Sequence, residues 1–258
     1  MSLDNQIIAR TIPELQNLWS GRQNFLLADE CVPFDYEPPP LEDIIDVLRK
    51  DDDSRIQCAD KSVDAETFAT EFQRVPLEKA MEMPFRLSNF RLHLLYGRGQ
   101  LLEGFNDGVN LPWTRFLARA GFTWYRCYPI IFISGKNLPG NYHMDVSHVV
   151  AWQIHGTKIF NGYSDPEQRT PVHSVLEPEN RTDMPKPDDI SEDEKLSYPM
   201  EPGDLLWNQI LTPHWVDTEN EIGASINLSH GGLRLNGELS MNGAPLERLY
   251  EENPEKRF

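Results

Sequence analysis

The chain has 258 residues, 39% of them hydrophobic, and carries 24 Lys and Arg against 41 Asp and Glu, a formal net charge of −17. That length and apolar content can supply a sizeable core for one large domain with appendages. The negative balance weighs against nucleic acid as a partner, because phosphate binding depends on Lys and Arg neutralising the backbone. No apolar stretch approaches the length of a bilayer span, and the start, Met1-Ser2-Leu3-Asp4-Asn5, lacks a basic segment followed by an apolar run, so a cytoplasmic protein without membrane contact is expected. Cys31, Cys58 and Cys127 are widely spaced with no CxxC pair, which points to reduced thiols rather than a disulfide framework or a zinc knuckle.

In chain order, Pro13 opens a short helix over 13–19, Pro38-Pro39-Pro40 interrupts, and helical apolar spacing returns over 41–48, 64–75 and 111–120, the last ending at Gly121. These helices are expected to pack outside a β-rich core, with residues 1–83 forming a mostly helical N-terminal region. From 122 onward β-branched and aromatic runs predict strands over 122–133, 149–154, 204–207, 215–217 and 222–228, separated by Gly, Pro and Asn turns, the texture of a jelly roll or barrel. The segment 164–199 is rich in Pro, Asp and Glu and reads as a long surface insertion. It is expected either to act as a mobile lid or docking loop whose charge selects a cationic substrate, or to be merely solvated. A short helix over 246–252 closes the chain within a tail of 241–258.

Three residues carry most of the chemistry. In Gly140-Asn141-Tyr142-His143-Met144-Asp145 an extended backbone puts His143 and Asp145 on one side and Met144 on the other. His214 follows in Thr212-Pro213-His214-Trp215-Val216. Two imidazoles and a carboxylate can occupy one face of an octahedral metal and leave the opposite face open, a pattern that suits non-haem Fe(II) oxygenases. Thirteen positions after Asp145 lies Lys158, a lone cation among apolar residues in Trp152-Gln153-Ile154-His155-Gly156-Thr157-Lys158-Ile159-Phe160, which must snorkel to water or meet an anion. Ten positions before His214, Asp204 sits in a Pro-Gly turn that feeds an apolar strand.

Taken together these blocks resemble the JmjC and cupin-like branch of the Fe(II)- and 2-oxoglutarate-dependent dioxygenases, over roughly residues 84–232. The likeness is strongest over 135–160, which matches the family's H-x-D followed by Q-I-x-G-x-K, and over 202–228, which matches its P-G-D…H…N. The resemblance implies a mainly β fold, a double-stranded β-helix (jelly roll) with flanking N-terminal α-helices, occupying residues 84–240. It also implies that His143, Asp145 and His214 bind iron, that Lys158 pairs with the distal carboxylate of 2-oxoglutarate, and that Asn227 sits near this cosubstrate. The reaction implied consumes O2 and releases succinate and CO2 while hydroxylating an unactivated C–H bond. The chain departs from the family pattern just before the metal motif, where a Thr that helps hold the distal carboxylate is replaced by Pro139-Gly140-Asn141-Tyr142. The resemblance also implies a second cosubstrate hydroxyl from an early strand, which Asn89-Phe90-Arg91-Leu92-His93-Leu94-Leu95-Tyr96 matches best, so Tyr96 is the candidate partner, against the alternative of a rim residue whose ring is core and whose hydroxyl is wet.

The other histidines have plainer readings: His148 and His155 as surface or hydrogen-bonded core residues, His173 as solvated, His230 in a turn, with His93 a candidate for the cavity. Trp152, Trp207 and Trp215 are expected in the core or cavity wall. Rival readings of the same ligands are a metal-binding cupin without 2-oxoglutarate, acting as a zinc hydrolase or isomerase, and a non-catalytic binding barrel. Small-metabolite and protein side-chain substrates, hydroxylation and demethylation, and the oligomeric state, with a homodimer as one option, all stay open at this level.

Overall fold

A computed structural model describes residues 6–177 and 184–256. The strands are β1 (Ile8–Ala9), β2 (Phe25–Leu27), β3 (Ser54–Cys58), β4 (Phe85–Asn89), β5 (Phe122–Thr123), β6 (Arg126–Ser134), β7 (His148–His155), β8 (Lys158–Tyr163), β9 (Lys195–Met200), β10 (Leu205–Asn208), β11 (Trp215–Thr218), β12 (Gly223–Gly231) and β13 (Arg234–Leu235). The helices are α1 (Ile12–Trp19), α2 (Leu41–Leu48), α3 (Ala65–Arg74), α4 (Leu77–Met81), α5 (Leu111–Arg119), α6 (Pro166–Arg169) and α7 (Gly243–Glu252). Thr11 and Asp64 cap α1 and α3 by accepting the backbone N–H three residues on, which satisfies donors that the first helical turn leaves free.

Period-two alternation builds two sheets that face each other. The large sheet runs β1-β2-β10-β7-β12-β6-β4-β3 and the smaller one β11-β8-β9. One face of the large sheet presents Ile131, Ile133, Val150, Trp152, Trp207, Ile226 and Leu228 to α1, α2, α3 and α5, forming the main hydrophobic core. Each such side chain, fully buried, contributes about 1.5–3 kcal/mol. The other face meets the small sheet through Ala151 and Leu206 on one side and Phe160, Leu196, Tyr198 and Met200 on the other. This is the jelly-roll architecture expected.

Three expectations change. The early strand lies over Phe85–Asn89, and Leu92–Leu95 is a 3-10 turn; Phe85, Leu87 and Asn89 are the buried, alternating residues. The N-terminal region is more than a helical coat, because β1 and β2 extend one edge of the large sheet and β3 the other. The acidic segment 164–199 ends in a barrel strand: Leu196, Tyr198 and Met200 alternate with Lys195, Ser197 and Pro199, and β9 pairs along all of β8. The charge-rich flank masks this two-residue period in the sequence. The remainder is fastened to the outer face of the small sheet by Val172, Val175, Met184 and Ile190 packing around Tyr142, Tyr163 and Trp215, and by Arg169 bonding to Asp189 and Glu194; residues 178–183 lie outside those described.

Candidate metal centre

His143 and His214 face each other across an antiparallel bridge in which each backbone N–H donates to the other's carbonyl at 3.0 Å. Directly opposed residues on an extended pair point to the same side, and the two rings lie with centroids 4.2 Å apart. Two residues on, Asp145 returns to that side. Its carboxylate lies 3.9 Å from His143 Nε2 and 3.6 Å from His214 Nε2, and one ligand atom from each of the three residues falls within 4.8 Å of the others. Met144 points outward into the cluster behind the small sheet, as the alternation requires.

The backbone around the site leaves little freedom. A Cβ on Gly140 would overlap the backbone of Val216, and the Gly140 N–H donates to Asp217 Oδ1 at 2.7 Å. Glycine therefore lets the incoming chain lie against β11, so that His143 arrives beside His214. On the far side the tight turn after β10 places Leu211 at φ 52°, a left-handed conformation costly for a side chain with a Cβ. The Leu211 N–H donates to the Asp145 carbonyl at 2.8 Å, which ties that turn to the segment carrying His143 and Asp145.

The imidazoles are oriented for coordination. His143 Nδ1 donates to the Asn141 carbonyl at 2.9 Å and His214 Nδ1 to the Thr212 carbonyl at 3.0 Å. A carbonyl only accepts, so the proton sits on Nδ1 and the Nε2 lone pair is free for an ion. Burial pushes His214 down to about 4, helped by His143 and opposed by Asp145, so this ring is neutral at ordinary pH, as a metal ligand must be. Phe160 stacks on its other face, centroids 5.0 Å apart and planes 8° from parallel.

Lys158 lies two residues before Phe160 on the same inward face. It is 5% exposed, and its Nζ donates to the Phe132 carbonyl at 2.8 Å and Ser225 Oγ at 3.1 Å. Both partners are neutral, and burial lowers the ammonium to about 7. The side chain passes over Gly223, where a Cβ would come 2.6 Å from Lys158 Cγ, and β12 shifts register between Ala224 and Ser225, as a bulge does where a side chain must be re-aimed. Asn227 shares the inward face with Ser225, and its buried Oδ1 has no partner among the described residues. The inward face of the barrel thus carries both a two-His, one-carboxylate cluster and the buried amine of Lys158.

Tyr96 is not part of this arrangement. It packs against the main core on the helical side of the large sheet, stacked on Phe105 at 5.0 Å, and burial raises its hydroxyl. His148 and His230 also face the helical side: Trp113 Nε1 donates to His230 Nε2 at 2.8 Å and His148 Nε2 meets Ser240 Oγ at 3.1 Å. His230 therefore sits inside β12 rather than in a turn, the Gly231-Gly232 that follows it having suggested the turn too early. Burial holds both rings neutral, His148 at about 3 and His230 at about 4. His155 donates to the Pro39 carbonyl at 2.7 Å.

Sequence reasoning missed Asn208. It is 1% exposed and its Nδ2 donates to Asp145 Oδ2 at 2.9 Å. The available signal was a lone amide closing the apolar run Leu205-Leu206-Trp207.

No protein-family model and no curated protein matches this sequence. Solved structures do. The X-ray structure of YcfD from Escherichia coli aligns with 98% of this chain and 61% of its own at a TM-score of 0.56 and 16% identity. The ribosomal oxygenase YcfD in complex with cobalt and 2-oxoglutarate aligns over 86% and 52% at 0.50 and 14%, and its complex with cobalt and succinic acid over 98% and 59% at 0.50 and 16%. The present chain spans little more than half the length of these neighbours. Likeness at this level of identity is likeness of fold, and the chain has the jelly-roll fold of the ribosomal oxygenase YcfD.

Proposed function

We propose that this protein is an Fe(II)- and 2-oxoglutarate-dependent oxygenase that hydroxylates an unactivated C–H bond. The observation that carries this reading is Lys158: a buried lysine with only neutral partners, on the same inward face as His214, calls for an anionic ligand that reaches from the metal to the ammonium. A dicarboxylate with a chelating keto-acid end meets both demands. The donor set fits the metal, since two Nε2 lone pairs and one carboxylate leave a face of an octahedral ion unfilled. Bound Fe(II) and 2-oxoglutarate supply, with O2, the oxidising chemistry that yields succinate and CO2. The chain's own residues do the placing: His143, Asp145 and His214 hold the ion, Lys158 and Ser225 hold the distal carboxylate, Asn227 borders it, and Phe160 shields one face of His214 from water.

The substrate side is open. The His143 and Asp145 side chains are 35% and 31% exposed, which suits a side chain presented from outside better than an engulfed metabolite, and the net charge of −17 favours a basic protein segment. The fold neighbours, ribosomal oxygenases, support the same choice, and a cytoplasmic location belongs to this reading; among the described residues no helix is long and apolar enough to cross a membrane. The test is anaerobic reconstitution with Fe(II) and 2-oxoglutarate, then succinate release on admitting air with basic peptides and small metabolites in parallel. His143→Ala, Asp145→Ala or His214→Ala is expected to abolish iron binding and turnover, and full activity in an iron-free preparation with stoichiometric zinc would overturn the assignment.

A further inference from the structure

We infer that Asn208 is a positioning residue of this metal centre, fixing the carboxylate of Asp145 for the ion; the inference rests on the metal-binding reading above. Asn208 ends β10 on the face that Leu206 shares, inside the barrel. Its Nδ2 lies 2.9 Å from Asp145 Oδ2 and 3.3 Å from His214 Nε2. Because His214 has committed its Nδ1 proton to the Thr212 carbonyl, its Nε2 is an acceptor, and both neighbours of the amide nitrogen are acceptors. Turning the amide over would set Oδ1 against a carboxylate and a lone pair, so its orientation is dictated by the two ligands it touches.

The Asp145 carboxylate sits at the open side of the site, 31% exposed. Among the described residues, Asn208 is the one hydrogen-bond donor found on it, since both histidines turn a lone pair toward the carboxylate. Without that bond the carboxylate turns freely about its last torsion, which is broad and roughly two-fold. An ion entering the site takes the His214 lone pair, and the bond to Asp145 is the contact Asn208 then keeps. The residue is also otherwise hard to account for. Its Oδ1 is buried with no partner among the described residues, a cost that an aliphatic side chain of similar size, such as the Leu206 two places earlier, does not incur.

The experiment compares the full wild-type chain with Asn208→Leu and Asn208→Ala, measuring Co(II) binding to metal-free protein by calorimetry and the visible absorption of the cobalt-loaded form. Partners of ligating groups typically govern 10- to 100-fold in metal affinity, and both variants are expected to bind Co(II) more weakly by about that factor. Their cobalt absorption is expected to change in position or intensity, which a purely structural residue does not cause. Metal-free unfolding temperature serves as the control; should Asn208→Ala fail to fold, the near-isosteric Asn208→Leu decides. Variants with wild-type cobalt affinity and spectrum overturn the inference while leaving the oxygenase reading intact. A wild-type protein that binds no cobalt overturns both.

Discussion

Replacing Lys158 with Met should move stability and cosubstrate affinity in opposite directions. In the free protein the ammonium is pushed from 10.5 to about 7 by burial, a difference worth about 1.4 kcal/mol per pH unit, so the charge costs the folded state about 4–5 kcal/mol at and below pH 7. Methionine keeps the stem over Gly223 and removes that cost. It also deprives Ser225 Oγ of its donor and the Phe132 carbonyl of an extra one, a loss of about 1–3 kcal/mol. The free variant is therefore expected to be no less stable than wild type at pH 7, while 2-oxoglutarate affinity falls about 10- to 100-fold, the worth of a charge-assisted contact of about 1.5–3 kcal/mol. A second signature follows from the sign of the shift. The unfolded chain holds this proton up to 10.5 and the free native protein releases it near 7, so wild-type stability should rise with pH across that window. Binding the carboxylate must restore the proton, so wild-type 2-oxoglutarate affinity should fall as pH rises above about 7, and Lys158→Met should lack that slope. Titrations of cobalt-loaded protein at pH 6.5, 7.5 and 8.5, with thermal unfolding of the free forms, measure both. An unchanged affinity in the variant, or the same pH slope in both proteins, refutes the role given to Lys158.

Gly140→Ala is expected to destabilise the protein by about 1–3 kcal/mol, because the new methyl meets the Val216 backbone, and to weaken cobalt binding by displacing His143; calorimetry on a variant with unchanged affinity would show that the approach of this strand does not set the site. Acid should destabilise the fold through His148 and His230, whose folded values lie at about 3 and about 4 against 6.5 unfolded. Their contribution is complete above pH 6.5 and is lost as pH falls toward about 4 for His230 and about 3 for His148, at about 1.4 kcal/mol per pH unit each. Urea melts at pH 7 and 5 of wild type and His230→Gln should show the smaller pH effect in the variant; equal losses would place the acid sensitivity elsewhere.

Local rules set much of this molecule. The helical spacing over 41–48 is the helix observed, the runs over 122–133, 149–154, 204–207, 215–217 and 222–228 correspond to β5 with β6, β7, β10, β11 and β12, and the two-residue step from His143 to Asp145 needs only an extended backbone to bring both side chains to one face. The spacing to Lys158 and His214 is likewise legible, because it reflects whole strands of a jelly roll. What the sequence left open is what depends on pairing between distant segments. Nothing near residues 8, 25 or 54 announces that β1, β2 and β3 complete the large sheet, since a strand of two to five residues acquires its hydrogen bonds and its burial from neighbours elsewhere in the chain. Tyr96 was placed by analogy with a strand, and a 3-10 turn sends it to the opposite side of the sheet from Lys158. Asn208 gains its meaning from Asp145, 63 positions away, and the neutrality of Lys158's partners from Phe132 and Ser225 on two other strands. A residue's type and local period thus determined which atoms were available for chemistry, while the burial and hydrogen bonding that tune those atoms were decided by tertiary contacts, because desolvation and partner geometry are properties of the assembled cavity.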